Sequence, residues 1–190
     1  MKPIVLRGVP ALSDFRIQAL LDQAAQLALP RKLAQIQAEF VYFLEAKELV
    51  GEVWEKAKSL VGGWEDEFAR GGFFVTPRKG TISPWSSKAT DIFHNCGLTS
   101  VKRVERGVHY RLLDMAGIPL ALGNATPLLA VLHDRMTEGI YTEMDDIFAH
   151  RDPARLVEVD ILTGGHAALE KANTEIGLAL SADEIDYLYE

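Results

Sequence analysis

Thr76 to Leu98 reads TPRKGTISPWSSKATDIFHNCGL, and the chain is organised around it. Thr76-Pro77 closes an apolar strand, and Lys79-Gly80 predicts a turn, because glycine reaches positive φ without a Cβ clash. Ser83 before Pro84 is a helix start: serine caps the first free N–H groups, and proline's missing N–H costs nothing at the first helical position. Trp85, Ala89, Ile92, Phe93 and Cys96 then recur at helical spacing as one apolar face, and Gly97 supplies the stop. Local chemistry thus predicts strand, turn and helix in sequence. It does not say why the turn should carry Ile82, Trp85, two serines and Lys88 together.

Outward from this stretch, the same grammar repeats. Ile4–Leu6 predicts a short strand, turning out through Arg7-Gly8-Val9-Pro10. Ser13 caps a helix reaching about Leu27, with Phe15, Ala19, Leu20, Ala24 and Leu27 along one side. Ile36, Ala38, Phe40, Tyr42 and Leu44 alternate with Gln37, Glu39, Val41, Phe43 and Glu45, which is the period of a strand. Glu48 to Phe68 reads helical, broken at Gly62-Gly63. Phe73–Thr76 is a strand, and Val101–Leu113 another, with Val104, Val108, Tyr110 and Leu112 on one face and Gly107 marking a bulge. Thr126-Pro127 opens a helix over 127–142, whose stripe is Leu128, Leu129, Leu132, Met136 and Ile140.

The order is strand, helix, strand, helix, twice over, with an offset of roughly 70 residues. That predicts an α+β fold, a mixed or antiparallel sheet with helices on one face, built from two similar halves. From about His150 the texture changes. Arg151-Asp152-Pro153 is a turn, Leu156–Leu162 reads as a strand, and Gly164-Gly165 leads into a helix ending near Gly177. Ser181 with Glu184 is a capping box. The expected domains are therefore 1–149 and 150–190. The Ser181 helix has no stop signal before Glu190, which leaves two readings open: a chain cut from something longer, or a frayed terminal helix.

The 190 residues are 48% apolar and 25% charged, in the range of ordinary globular proteins. A net charge of −7 argues against a general nucleic-acid or membrane-surface role. Cys96 is the single cysteine, so neither an intrachain disulfide nor a cysteine-rich metal site can form. No apolar run approaches the roughly 20 residues of a membrane helix, and no signal peptide is evident. The expectation is a soluble cytoplasmic chain.

Ser87, Asp91 and His94 share a helix face and invite comparison with a catalytic triad. The order argues against it, because the histidine must sit between nucleophile and acid, whereas here Asp91 is central. None of His94, His109, His133, His150 and His166 has metal-ligand spacing, and no phosphate-binding glycine loop occurs. Arg78, Lys79 and Lys88 beside the N–H groups after Ser83 are open to three readings: an anion site, pairing with acidic groups of another domain, or a solvated basic turn.

The central run closely resembles the N-terminal region of large-type phosphoribosylformylglycinamidine synthase. Further matches are Arg7-Gly8-Val9-Pro10-Ala11-Leu12-Ser13, Ala38-Glu39-Phe40-Val41-Tyr42-Phe43, Val104-Glu105-Arg106-Gly107, Leu132-His133-Asp134-Arg135-Met136-Thr137-Glu138, and Gly177-Leu178-Ala179-Leu180 with Glu184-Ile185-Asp186-Tyr187-Leu188. The departures are Lys79 where the family has proline, Phe93 where it has a small residue, and an unaligned segment from Asp114 to Ala125. The resemblance implies an N-terminal domain like two fused copies of a small accessory subunit, followed by a mainly helical linker. It implies a monomeric parent ligase that uses ATP, Mg²⁺ and glutamine to convert formylglycinamide ribonucleotide to its amidine. The catalytic, ATP-binding and metal-binding groups of that enzyme are expected outside this chain, so none is assigned here.

What the resemblance implies for these residues is packing against the synthetase and glutaminase domains and enclosure of an ammonia route. The alternative is a stand-alone accessory module acting in trans. Arg78, Ile82, Ser83, Trp85, Ser86, Ser87 and Lys88 form the candidate docking surface. The competing reading of Trp85 places it in the core with Ala89 and Ile92.

Overall fold

Strand alternation sets the first layer. In the computed structural model, which describes residues 2–65, 71–149 and 156–190, Ile36, Ala38, Tyr42 and Leu44 point to one side of a long strand, while Val41 and Phe43 point to the other. The expectations for Phe68, His150 and Arg151–Pro153 fall outside the described residues. The chain divides into two compact units, Met1–His150 and Arg151–Glu190.

The first unit runs β1 (Ile4–Pro10), α1 (Asp14–Ala25), β2 (Leu33–Glu45), α2 (Gly51–Val61), β3 (Phe73–Pro77), α3 (Pro84–Asn95), β4 (Arg103–Asp114), α4 (Thr126–Leu132) and β5 (Glu138–Tyr141). The sheet order is β1-β2-β4-β3-β5, and every pairing is antiparallel. The helices bury on one face. Leu20 and Ala24 of α1 meet Leu128 and Leu132 of α4 over Ile36, Ala38 and Leu112. Ala57 of α2 and Phe93 of α3 pack over Tyr42, Leu44 and Val104. On the opposite face, Val41 and Phe43 are covered by Met144 and Ile147.

The two halves repeat in detail. Ser13 and Ser83, seventy positions apart, both accept a backbone N–H three residues on, from Arg16 and Ser86. The helices they start are each 12 residues long. β2 and β4 are the long inner strands and pair with each other, while β1 and β3 flank them. An N-cap of this kind stabilises its helix by about 1 kcal/mol.

Several expectations are overturned. Arg7–Pro10 is not a turn: β1 continues through it with a register shift. The helix over 127–142 stops at Leu132, because His133 adopts an extended conformation, and Ile140 lies in β5. Residues with helical spacing were there split between a short helix and an edge strand. α2 begins at Gly51 rather than Glu48, and Gly62, in the left-handed conformation, ends it. Ile92 and Phe15 lie on exposed sides of their helices, at 54% and 85% exposure, so only Phe93 and its neighbours form the buried stripe of α3. Gly107 is not a bulge, since it pairs in register with Val41. It is glycine because β3 passes so close that a Cβ would stand 2.5 Å from Thr76 Cγ2. The unaligned Asp114–Ala125 segment is a turn, in which Asp114 accepts from the N–H groups of Ala116 and Ile118, and then a single 3-10 turn at Leu122–Ala125.

In the second unit, Leu156–Asp160 is not a strand. Asp160 instead caps α5 (Ile161–Ala172), accepting from Thr163 N at 3.1 Å. The helix therefore begins before Gly164, and Gly165 kinks it at φ 60°. A π turn, Asn173–Gly177, leads to α6 (Ala182–Tyr189), which starts in the Ser181/Glu184 capping box. His166 Nε2 lies 2.7 Å from Asp186 Oδ1, tying α6 to α5, and Leu169, Ala172 and Ile185 are buried. No helix among the described residues is long and apolar enough to cross a membrane.

Candidate functional site

The turn between β3 and α3 is braced from beneath. Thr81 donates its N–H and its hydroxyl to Arg78 O, at 3.0 and 2.7 Å. Ser83 Oγ, besides capping α3, donates to Glu105 Oε1 at 2.7 Å. Glu105 is 1% exposed, and its carboxylate also accepts from Arg103 Nη2 at 2.9 Å and Arg106 N at 3.0 Å. A buried carboxylate is tolerated when it is paired and hydrogen-bonded in this way. Arg103 then reaches Thr81 O, so the turn, the cap and β4 form one connected unit.

A second loop, 134–138, stands opposite. Asp134 accepts from Met136 N at 2.8 Å and Thr137 Oγ1 at 3.0 Å. The backbone bond from Met136 is the main reason that its carboxyl titrates below the usual range. Glu138 closes the loop by accepting from Asp134 N. Arg78 stitches the two loops together, its N–H to Thr137 O at 3.1 Å and its guanidinium to Arg135 O.

Between the loops lies a cleft of about 700 Å³ on the helix side of the sheet. Phe40, Val75 and Val108 form its floor. The Arg106 guanidinium lies 4.6 Å from the Phe40 ring centroid and 4.9 Å from that of Trp85. Trp85 stacks in turn on Tyr42, with centroids 6.0 Å apart. Ile82 and Met136 form apolar lips, 65% and 80% exposed.

Of the residues singled out in the sequence, Arg78, Ile82, Ser83 and Trp85 all line this cleft. Ser86 does not offer a free hydroxyl: it is fully buried, donating to Val104 O at 2.6 Å and accepting from Arg103 Nε at 3.1 Å. Ser87 and Lys88 are exposed on α3. Trp85 is half-buried, with its inner side in the cluster that holds Phe93. Sequence reasoning missed Arg106, Phe40 and Met136. Arg106 did carry a signal, being a lone cation on a strand face otherwise made of Val104, Val108, Tyr110 and Leu112.

No triad assembles on α3. Ser87 Oγ donates to Ser83 O at 3.4 Å, and His94 Nε2 bonds to Val101 O at 2.8 Å. Lys79, one of three cations weighed for an anion site, instead pairs with Asp146, donates to Glu143 O at 3.0 Å and sits 4.6 Å over the Tyr141 ring. Among the described residues, no group of three or more His, Cys, Asp or Glu is placed to hold a metal ion. What the structure brings together here is a hydrogen-bonded rim, a cation over two aromatic rings and two apolar lips.

Residues 17–149 match the family described as formylglycinamide ribonucleotide amidotransferase N-terminal. That span contains every residue of the cleft.

Proposed function

This chain belongs to the formylglycinamide ribonucleotide amidotransferase N-terminal family, and from that premise we propose that its part in the enzyme is structural. The family is a portion of an amidotransferase of purine biosynthesis. In this reading the intact ligase uses ATP and Mg²⁺ to activate the amide oxygen of formylglycinamide ribonucleotide. Ammonia released from glutamine displaces the phosphate to give the amidine. The groups that perform those steps belong to other parts of the enzyme. The present chain packs the synthetase and glutaminase domains together and helps to enclose the ammonia route between them.

The cleft between Ile82 and Met136 carries this reading. Two exposed apolar side chains flank a depression whose walls are held by Glu105 and Arg78, which is the form of a docking site. The chain should therefore show no ATP- and glutamine-dependent amidine formation and no glutamine hydrolysis above a protein-free control. The intact enzyme carrying Ile82→Asp should hydrolyse glutamine with less amidine formed per glutamine consumed. Turnover by the 190-residue chain, or unchanged coupling in the variant, overturns the reading.

A further inference from the structure

We infer that the cleft recognises an acidic side chain, an Asp or Glu flanked by apolar residues, presented by another portion of the same amidotransferase. The inference rests on the docking reading and names what docks. Its origin is Arg106. The other arginines of the sheet and its cleft are engaged: Arg7 with Glu39, Arg103 with Glu105, Arg111 with Gln37, and Arg78 with Arg135 O. Among the described residues, the Arg106 guanidinium has no side-chain hydrogen bond or ion pair; it lies over the Phe40 and Trp85 rings and interacts electrostatically with Tyr42, its partner across the strand pair. The adjacent Glu105 does not neutralise it, since that carboxylate is taken up by Ser83, Arg103 and the Arg106 backbone.

Stacking against aromatic faces leaves the edge of a guanidinium available, and that edge presents a planar fork of N–H donors matched to a carboxylate. Ring contacts on its faces also restrict rotation, so little further ordering is needed when an acceptor arrives. The apolar lips Ile82 and Met136 favour nonpolar neighbours on either side of that acceptor. The cleft lining carries Glu105 and Glu138 against Arg78 and Arg106; Glu105 is engaged by Ser83 and Arg103, Glu138 by Asp134 N, and Arg78 by Arg135 O, which leaves the Arg106 fork as the group for an acidic partner to meet.

The test uses the intact enzyme carrying Arg106→Lys, which keeps the charge and supplies a primary amine. A water-soluble carbodiimide activates a touching carboxylate. The amine then displaces the carbodiimide as its urea, leaving an amide bond. Peptide mapping should recover position 106 joined to an Asp or Glu outside residues 1–190. A link only to carboxylates within 1–190, or no link, overturns the inference.

Backbone hydrogen exchange separates this failure from failure of docking. Exchange at 78–88 and 134–138 should be slower in the intact enzyme than in the 190-residue chain, and Arg106→Gln should speed it about tenfold in the intact enzyme. Slow exchange without a cross-link keeps docking and removes the carboxylate. Equal exchange in the two proteins removes both. In the 190-residue chain, a shift of the Arg106 Nε resonance on adding millimolar inorganic phosphate would assign the cleft to a free anion, which also overturns the inference.

Discussion

Glu39 on β2 lies directly across from His109 on β4, with Glu39 Oε1 3.5 Å from His109 Nδ1. The two positions are also seventy residues apart, as are the helix caps Ser13 and Ser83. In a repeated antiparallel sheet, a residue can pair with its own counterpart only where the local twofold axis passes. The contact therefore marks the centre about which the two halves are arranged. At that centre one half carries an acid and the other a base. Arg7 bonds the same Glu39 carboxylate, and the Phe74 ring lies 4.8 Å from the imidazole.

His109 is 4% exposed, and burial lowers its pKa below the ordinary 6.5, outweighing the opposing pull of Glu39; Arg111 and Arg7 also act to lower it. The unfolded chain takes up this proton as pH falls through about 6.5, while the folded chain does so only at lower pH. Stability should therefore drop below pH 6.5 and level off once the folded-state pKa is passed. Urea unfolding at pH 7.5 and pH 5.5 checks this. The wild type should lose more stability between those values than His109→Gln, and equal losses would rule out His109 as the source.

Glu105 should be the most sensitive polar position in the first unit. Its removal leaves Arg103 and the Ser83 hydroxyl without their buried acceptor. Glu105→Ala is expected to cost about 3–5 kcal/mol, because an ion-pair partner is left uncompensated. Glu105→Gln, which keeps an acceptor oxygen, should cost about 1–2 kcal/mol. Chemical denaturation of both variants reads the two values, and similar losses would show that shape rather than charge holds the turn.

Ser86 and Ser87 are neighbours with opposite fates. Ser86 Oγ is buried between Val104 O and Arg103 Nε, so Ser86→Ala strands both partners and should cost about 1–3 kcal/mol. Ser87 is exposed, and Ser87→Ala should stay within about 0.5 kcal/mol. Shifts in denaturation midpoint at unchanged slope would report the difference.

The contrast between these serines shows what was legible in the sequence. Local rules placed the α3 cap, the inner strands and the turn at Lys79-Gly80, because Ser83-Pro84, the 36–45 alternation and the glycines act within a few residues. They failed where the deciding partner is distant. Ser86 is structural only because β4 brings Arg103 and Val104 to it. Gly107 is glycine only because β3 crosses so near. Ile140 has helical spacing from Leu132, yet it sits opposite Val75 in a strand pair. Arg106 belongs to the cleft because of Phe40 and Trp85, which lie 66 and 21 positions before it.

Trp85 and Ile82 should separate packing from docking. The sequence left Trp85 open to either role, and its geometry divides the ring between both. The ring packs on Tyr42 and the buried cluster, and it also meets Arg106, the cross-strand neighbour of Tyr42, at the cleft. Because the ring is only half-buried, Trp85→Ala should cost about 2–4 kcal/mol, at or below the range for a fully buried aromatic. It should also disturb coupling in the intact enzyme, since Arg106 loses one of its two ring contacts. Ile82 has no comparable inward packing. Ile82→Ala should leave the stability of the 190-residue chain within about 0.5 kcal/mol, while lowering the amidine formed per glutamine hydrolysed in the intact enzyme. Unfolding curves paired with that coupling ratio decide the matter. A stable Ile82→Ala chain with full coupling would leave Trp85 as a packing residue alone, whereas a stable chain with poor coupling identifies the lip as the contact.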